Sequence, residues 1–247
     1  MIQKFYALLL FMALSATAIM GQETITVTDA DLTTDDYVWE TGNTYILDGY
    51  VYLEGGSLTI QPGVIVKGKT VPTPPITDLT SALIITRDAQ IFAEGTADNP
   101  IIFTAEIDPL DGSLDASVNQ LWGGLLILGN APIGEDVVPA VGFPQDNIEG
   151  IPSTETRTIY GGTDPEDDSG VVRYVSIRPG GSIIAGDNDI NGLTMGGVGS
   201  DTEFVYVVVF AINDDGIAIF GGTVTGNHAV VYFCGVDGLD FAASWVG

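Results

Sequence analysis

Three acidic turns near the end of the chain carry the side chains best suited to chemistry. Each places an Asx residue directly before a glycine: Asn191-Gly192, Asp214-Asp215-Gly216 and Asp237-Gly238. The three glycines lie 24 positions (216 − 192) and 22 positions (238 − 216) apart. In a coil with this period, equivalent positions stack about 4.8 Å apart, and stacked carboxylates repel. The pattern predicts either a Ca²⁺ site that includes Asp214, Asp215 and Asp237, or side chains that cap their own turns beside glycines with positive φ.

A second acidic group lies in the glycine-rich loop at residues 160–170. Four acids fall within five positions there: Asp164, Glu166, Asp167 and Asp168. Carboxylate oxygens are ligands that Ca²⁺ prefers, although the spacing does not match an EF-hand. The loop is therefore a second Ca²⁺ candidate, and a solvated acidic loop is the alternative.

His228 and Cys234 are the only histidine and the only cysteine. One histidine without a nearby cysteine gives poor support for a zinc site or a Ser-His-Asp triad. One cysteine excludes an internal disulfide. We predict that His228 starts a strand in the register of Tyr206 and that Cys234 belongs to the core.

The elements that must position these residues are short and apolar at consecutive positions. Examples are residues 82–85, 121–128 and 204–209. Such runs are typical of parallel strands that are buried on both faces, and no window shows a convincing helical stripe. Parallel strands without helices, together with a period of 22–24 residues, predict an all-β fold: a right-handed, single-stranded parallel β-helix with an N-terminal cap and long loop insertions.

The chain divides into a targeting segment and one domain. Lys4, an apolar run and small residues up to Ala18 predict a secretory signal peptide at 1–21. Residues 22–247 form the β-helix domain, and residues 22–56 contribute its N-terminal cap and first strands. Because the sequence stops inside a repeat at Gly247, we expect that the coil continues in a longer protein.

The charge balance narrows the range of partners. The 247 residues include 33 acids and 7 Lys or Arg, which gives a net charge of −26. Such a surface repels nucleic acid and anionic lipid and attracts cations. After signal cleavage no stretch is long enough to span a membrane. We therefore expect a secreted or cell-surface protein without nucleic-acid partners.

Carbohydrate chemistry is a further candidate. A polysaccharide lyase on a β-helix needs a base, usually Arg or Lys, near a Ca²⁺-binding acidic cluster. The central region offers Arg157, Arg173 and Arg178, but an arginine with an ordinary pKa is a poor base and more often pairs with a carboxylate. Tryptophans are candidates for stacking on sugars, although Trp122 lies in an apolar run: Trp39, Trp122 and Trp245.

Several motifs resemble one family. They lie at residues 62–68, 93–104, 122–132, 148–150, 160–162, 191–199 and 214–222. Together they resemble secreted, right-handed, pectin-lyase-like β-helix proteins of Bacteroidetes, many of which carry a type IX secretion sorting domain. The resemblance implies the fold, export and a cell-surface location, but no settled activity. Ala218 and Val236 stand where the family usually has acids, which weakens an acid-lined site there.

Two functions follow as hypotheses. The first is an exported, non-catalytic β-helix with a cell-surface, adhesive or matrix role, which needs no cofactor. The second is a carbohydrate-binding or polysaccharide-lyase-like protein that uses Ca²⁺. Polysaccharide or cell-surface components are the expected partners in both cases.

Overall fold

The structure is a computed structural model that describes residues 22–76, 78–134, 137–138, 140–185 and 188–247. The predicted signal peptide lies outside these residues. Within them, the elements are two 3₁₀ helices, η1 (Asp29–Asp31) and η2 (Thr156–Thr158), and short β-strands. In chain order the strands are β1 (Thr24–Val27), β2 (Tyr37–Trp39), β3 (Thr44–Leu47), β4 (Tyr50–Leu53), β5 (Gly56–Ile60), β6 (Ile65–Gly68), β7 (Ala82–Ile85), β8 (Ala89–Glu94), β9 (Ile101–Ala105), β10 (Leu125–Leu128), β11 (Val137–Val138), β12 (Phe143–Pro144), β13 (Asp146–Asn147), β14 (Ile159–Tyr160), β15 (Gly170–Ile177), β16 (Ile183–Ala185), β17 (Asn188–Asp189), β18 (Leu193–Gly196), β19 (Glu203–Ile212), β20 (Ile217–Phe220), β21 (Gly226–Asn227), β22 (Val230–Cys234) and β23 (Leu239–Ala242). None of the described helices is long and apolar enough to cross a membrane.

The strands coil into a right-handed parallel β-helix, which confirms the predicted fold. Sheet 2 contains β4, β7, β10, β18, β20 and β23, and sheet 1 contains the other strands of the coil. Each turn of the coil passes through sheet 1, sheet 2 and sheet 1 again. Thus β3, β4 and β5 form one turn and pair in parallel with β6, β7 and β8 of the next. In the first turn, η1 lies beside β4. The three antiparallel pairs, β11–β12, β13–β14 and β16–β17, lie in insertions between coil strands.

Strands β15 and β19 are long because each runs through a corner of the coil. The corner residues, Tyr174 and Tyr206, have φ of 49° and 56°, and His228 has φ of 58° at the same corner one turn later. Left-handed backbone is costly for residues with a Cβ. Ring stacking offsets part of that cost, since the Tyr174 and Tyr206 centroids are 4.6 Å apart and those of Tyr206 and His228 are 4.5 Å apart. The predicted register of His228 with Tyr206 is confirmed.

The turn glycines form a column along one edge of sheet 2. Gly192, Gly216 and Gly238 stand one coil turn apart, as the period predicts, and Gly124 continues the column. None of the four has positive φ, so the prediction that φ requires glycine there is wrong. At Gly124, Gly192 and Gly216, glycine is needed because neighbouring backbone leaves no space for a side chain. A Cβ on Gly124 would lie 2.7 Å from the carbonyl oxygen of Gly192, and a Cβ on Gly216 would lie 2.8 Å from that of Gly238.

The inside of the coil is filled with apolar side chains. Leu83, Phe103 and Leu125 are among the fully buried residues. The Trp122 side chain is also fully buried, and its ring lies parallel to that of Phe103 at 6.3 Å. Its Nε1 donates a hydrogen bond to the Arg178 carbonyl oxygen at 2.9 Å. This core contributes most of the fold's stability, since each large apolar side chain that is buried is worth about 1.5–3 kcal/mol.

A second apolar cluster lies on the outer face of sheet 2. Outward side chains of the sheet, such as Ile84 and Leu126, pack against Ile133, Ile148 and Ile151. The latter three belong to residues 131–160, which we name the covering segment. All four residues of β7 and of β10 are buried because one face of each strand meets the coil interior and the other meets this cluster. The apolar runs of β7 and β10 are thereby explained. The run at 204–209 in β19 instead alternates buried and more exposed residues, so the prediction that it is buried on both faces is wrong.

Candidate functional site

A cleft of about 370 Å³ opens between β4 and the covering segment. Tyr50 and Tyr52 form its coil side, because alternate residues of β4 point outward from sheet 2. Residues 151–157 line the other side, and Asp29 and Asp78 contribute carboxylates. Tyr50 and Tyr52 are 7% and 3% exposed, and neither hydroxyl has a hydrogen-bond partner among the described residues. The cleft therefore presents two tyrosine hydroxyls with which a ligand can form hydrogen bonds.

Both tyrosines stay protonated at neutral pH. Burial, with a further contribution from Asp78, raises the pKa of Tyr50 to about 12. Burial, followed by the negative charge of Glu155, raises the pKa of Tyr52 well above its ordinary value. Each hydroxyl is thus both a donor and an acceptor for a polar ligand.

Arg157 organises the side of the cleft formed by the covering segment. Its guanidinium donates to Glu155 through Nε at 3.0 Å and through Nη2 at 2.8 Å. Its Nη1 donates to Asp29 at 3.0 Å and to Glu54 at 3.1 Å. The group also lies 3.8 Å above the ring of Tyr52. These hydrogen bonds, chiefly those to Glu155, raise the pKa of Arg157, so it holds a permanent positive charge.

The other two candidate arginines also meet carboxylates. Arg173 lies on β15 between the neighbouring strands β8 and β19, where it pairs with Glu94 and, at 2.9 Å, with Glu203. Arg178 Nε lies 3.9 Å from Asp108 Oδ2. Direct pairing with carboxylates, which the residue types favour over catalysis, is what the structure shows at Arg157 and Arg173. At Arg178 the contact with Asp108 is longer, and the buried Nε has no hydrogen-bond partner among the described residues.

Most carboxylates of the acidic loop at 164–168 already accept hydrogen bonds from nearby groups of the protein. Three of its acids are exposed: Asp164, Glu166 and Asp168. Asp164 and Asp168 each accept the backbone N–H two residues ahead, as in an Asx turn. Asp167 is buried, and it accepts the Asn130 N–H and the Ser169 hydroxyl, each at 3.0 Å. Burial raises the pKa of Asp167. Ca²⁺ binding by this loop stays a prediction.

In the acidic ladder a side-chain hydrogen bond links successive turns of the coil, and Ca²⁺ binding by Asp214, Asp215 and Asp237 stays a prediction. Asp215 Oδ1 accepts the N–H of Asp237, one coil turn later, at 2.8 Å. The side chain thus joins two turns, and the prediction that Asp215 caps its own turn is wrong. Asp237 is exposed. Burial raises the pKa of Asp214 to about 6, and the charges of Asp215 and Asp189 add to the effect.

Glu149, which no sequence pattern singles out as a site residue, faces the same ladder from the covering segment. Asn191 Nδ2 donates to Glu149 Oε1 at 2.7 Å. Burial raises the pKa of Glu149, and Asp214, Asp215 and Asp240 raise it further. In the ranges that the structure describes, no three His, Cys, Asp or Glu side chains are already grouped closely enough to hold a metal ion.

The remaining candidates are structural. Trp39 is 4% exposed and stacks on Tyr45 at 4.6 Å, and Trp122 is fully buried, so neither ring is open to a sugar. Trp245 is partly buried against the core and donates to the Val224 carbonyl oxygen. Cys234 is partly buried against the same core, and burial raises the pKa of its thiol.

Comparison with known proteins gives one match. Residues 31–247 match the family model described as a pectate-lyase-like β-helix domain. No curated protein matches the chain. No solved structure matches it either. The family model spans nearly all of the described coil, including β4, the covering segment and the acidic ladder. The chain therefore belongs to the pectate-lyase-like β-helix family.

Proposed function

We propose that the protein is an exported, non-catalytic carbohydrate-binding β-helix whose ligand is a neutral or amino-sugar glycan. The observation that carries the proposal is the cleft beside β4, which Tyr50 and Tyr52 line together with Asp29 and Asp78. Hydroxyl-rich ligands bind where several fixed donors and acceptors converge on an apolar wall. The volume of about 370 Å³ lies within the usual range for small-ligand sites.

Charge selects the class of glycan. The net charge of −26 repels a polyuronate such as polygalacturonate, unless a divalent cation lies between them. The guanidinium that lines the cleft, Arg157, is already bonded to three carboxylates and has little capacity left for an acidic sugar. Neutral hydroxyls avoid this repulsion, and an ammonium group would gain attraction from Asp78, because Asp29 is already paired with Arg157.

Binding without turnover is supported by the state of the arginines. A lyase base must accept a proton, and a guanidinium held by carboxylates is stabilised in its charged form. Arg157 and Arg173 each contact at least two carboxylates. Export rests on the signal-peptide pattern at 1–21, and a surface or matrix role follows from export combined with glycan binding.

The second candidate function is Ca²⁺-dependent binding or cleavage of an acidic polysaccharide, which family membership favours. It keeps the Ca²⁺ candidates at 164–168 and at Asp214, Asp215 and Asp237. Ultraviolet absorbance of unsaturated product, with polygalacturonate and Ca²⁺, tests it. Turnover that disappears in Arg173→Ala would refute the non-catalytic proposal.

Calorimetric titration with neutral, amino-sugar and uronate oligosaccharides tests the leading proposal. We expect binding of a neutral or amino-sugar ligand, and a loss of at least tenfold in affinity for Tyr50→Phe, which removes one bonded hydroxyl. Tyr232→Phe is the matched control, because Tyr232 lies on β22, far along the coil from β4. Binding of uronates alone, or equal affinity in Tyr50→Phe and the control, would refute the cleft as the site.

A further inference from the structure

A small pocket lies where the insertion after β9 meets the later turns of the coil. Its volume is about 150 Å³. Arg178, directly after β15, and Phe210, on β19, line it from the coil, and Leu110 and Leu114 line it from the insertion at residues 106–120. None of the residues that line this pocket lines the cleft beside β4, so the two are separate places on the described surface.

Arg178 brings unused hydrogen-bond donors to the pocket. The other five Lys and Arg side chains of the described residues each donate at least one hydrogen bond within the protein, but the Arg178 guanidinium donates none to any described residue. Its Nε pairs with Asp108 Oδ2 only at 3.9 Å, which is beyond hydrogen-bond distance. A guanidinium carries five N–H donors, and this side chain is 25% exposed, so part of the group is accessible to a ligand.

The groups around the guanidinium are held in place before any ligand arrives. Arg178 Cζ lies 5.3 Å from the centre of the Phe210 ring. In the insertion, Asp108 Oδ2 accepts the Thr104 hydroxyl at 2.6 Å and Asp108 Oδ1 accepts the Leu110 N–H at 2.9 Å. Both walls of the pocket are therefore fixed by contacts within the protein, which lowers the cost of ordering them on binding.

Charge and size restrict the class of ligand. Asp108 and Asp115 also line the pocket, and hydrogen bonds from Ser117 lower the pKa of Asp115, so that carboxylate is ionised at neutral pH. These acids and the net charge of −26 disfavour an anion, whereas the guanidinium disfavours an ammonium group. The volume is about half the lower end of the usual range of about 300–1,000 Å³ for small-ligand sites. The pocket therefore suits a neutral substituent that carries an acceptor, and not a whole sugar ring.

We propose that the pocket binds the acetyl group of an acetylated sugar. The carbonyl oxygen accepts hydrogen bonds from the Arg178 guanidinium, and the methyl group packs against Leu110, Leu114 and Phe210. An acetyl group joins one acceptor to one methyl group without a charge, which matches the donors, the apolar wall and the nearby acids. An acetamido group and an O-acetyl ester share this chemistry, and the test separates them. The proposal does not depend on the cleft beside β4.

Nuclear magnetic resonance titration of the full chain, followed by the methyl signals of Leu110 and Leu114, tests the proposal. The probes are the methyl glycosides of N-acetylglucosamine, 6-O-acetylglucose, glucose and glucuronic acid. We expect at least one acetylated probe to bind at least tenfold more tightly than the glucose probe, because it adds a hydrogen bond to a charged donor and buries a methyl group. Binding of only one acetylated probe would identify the acetamido group or the ester as the source.

Two variants change the pocket by different routes. Arg178→Met removes the donors, and Ala116→Leu fills the pocket from the insertion and leaves the guanidinium in place. Each should weaken the acetylated probe at least tenfold. Arg173→Met is the control for charge, because Arg173 lies on the adjoining strand β15 outside the pocket, and Ala97→Leu is the control for size, because Ala97 is exposed in the turn between β8 and β9. Both controls should keep the wild-type affinity.

Three results would overturn the proposal. The first is the absence of any shift with both acetylated probes. The second is tighter binding of the glucuronic acid probe, which would make the pocket an anion site. The third is wild-type affinity in Ala116→Leu, which decides the matter even if Arg178→Met does not fold. Tyr50→Phe should leave the affinity of this pocket unchanged, so failure here and failure of the cleft beside β4 are seen separately.

Discussion

Gly124→Ala should destabilise the coil far more than the same change at the end of its column. A Cβ at position 124 would lie 2.7 Å from the Gly192 carbonyl oxygen and closer still to that of Asn191. Both carbonyl oxygens belong to the backbone, so neither can rotate away as a side chain could. The Gly192 carbonyl is held by the Leu125 N–H at 3.1 Å, so it cannot move aside without weakening the ladder between β10 and β18.

The magnitude follows from two costs. Forcing a methyl group into packed structure costs about 1–3 kcal/mol. Weakening one ladder hydrogen bond adds about 1 kcal/mol. We expect a loss of about 3 kcal/mol from these two costs. At Gly238 the nearest atom to an added Cβ is 3.8 Å away, which is ordinary contact, and φ is not positive. Gly238→Ala should therefore be neutral, or stabilising by up to about 1 kcal/mol through the unfolded state.

Urea unfolding of the 247-residue chain, followed by circular dichroism and by tryptophan fluorescence, measures both variants. The midpoint of Gly124→Ala should fall clearly below wild type, and its Tm should fall by about 6–12 °C. Equal midpoints for Gly124→Ala and Gly238→Ala would refute the explanation by space. A loss in Gly238→Ala as large as in Gly124→Ala would show instead that glycine is needed for its backbone conformation.

Three further predictions concern single contacts. Trp122→Phe should cost about 2 kcal/mol in urea unfolding, because the Arg178 carbonyl oxygen loses its donor in a part-buried position, and an unchanged midpoint would contradict this. Arg157→Met should cost about 1 kcal/mol at pH 7. Arg157 lowers the folded-state pKa of Glu155, so the ion pair stabilises the fold above the ordinary Glu pKa of 4.5 and this stabilisation is lost as pH falls. The cost of Arg157→Met should therefore be smaller at pH 3 than at pH 7. A cost independent of pH would contradict the ion pair. Ile148→Ala should cost about 2–4 kcal/mol, since the Ile148 side chain is 2% exposed where the covering segment packs on sheet 2, and a smaller loss than in an exposed-site variant would show that this segment does not pack as described.

The coil was predictable because its signals are local and periodic. The 22–24-residue spacing and the apolar runs are enough to specify the register of β18, β20 and β23. The reason for the glycines was not predictable. The same Asx-Gly pattern occurs where the glycine has positive φ and where an added Cβ would collide with a neighbouring backbone. Only the pairing of β10 with β18 shows that Gly124 faces a carbonyl group.

The sites were harder to predict, because insertions build them. Tyr50 and Tyr52 have the appearance of ordinary strand residues, and their role depends on residues 151–157, which lie about a hundred positions later in the chain. Glu149 meets Asn191 across 42 positions, with no periodic signal to connect them. The unused donors of Arg178 cannot be inferred from residue type, because whether an acceptor reaches them depends on the folded packing.

The covering segment also changes how the coil should come apart. In a simple solenoid each turn touches only its neighbours, so the end turns can fray one at a time. Here the Ala131 N–H bonds the Gly197 carbonyl, the Gly222 N–H bonds the Pro132 carbonyl, and the Gly134 N–H bonds the Ala243 carbonyl. This one short stretch therefore fastens β10 to the ends of β18, β20 and β23. We expect the later turns to open as one cooperative unit, with amide hydrogen exchange that reports a shared opening free energy instead of a gradient along the coil.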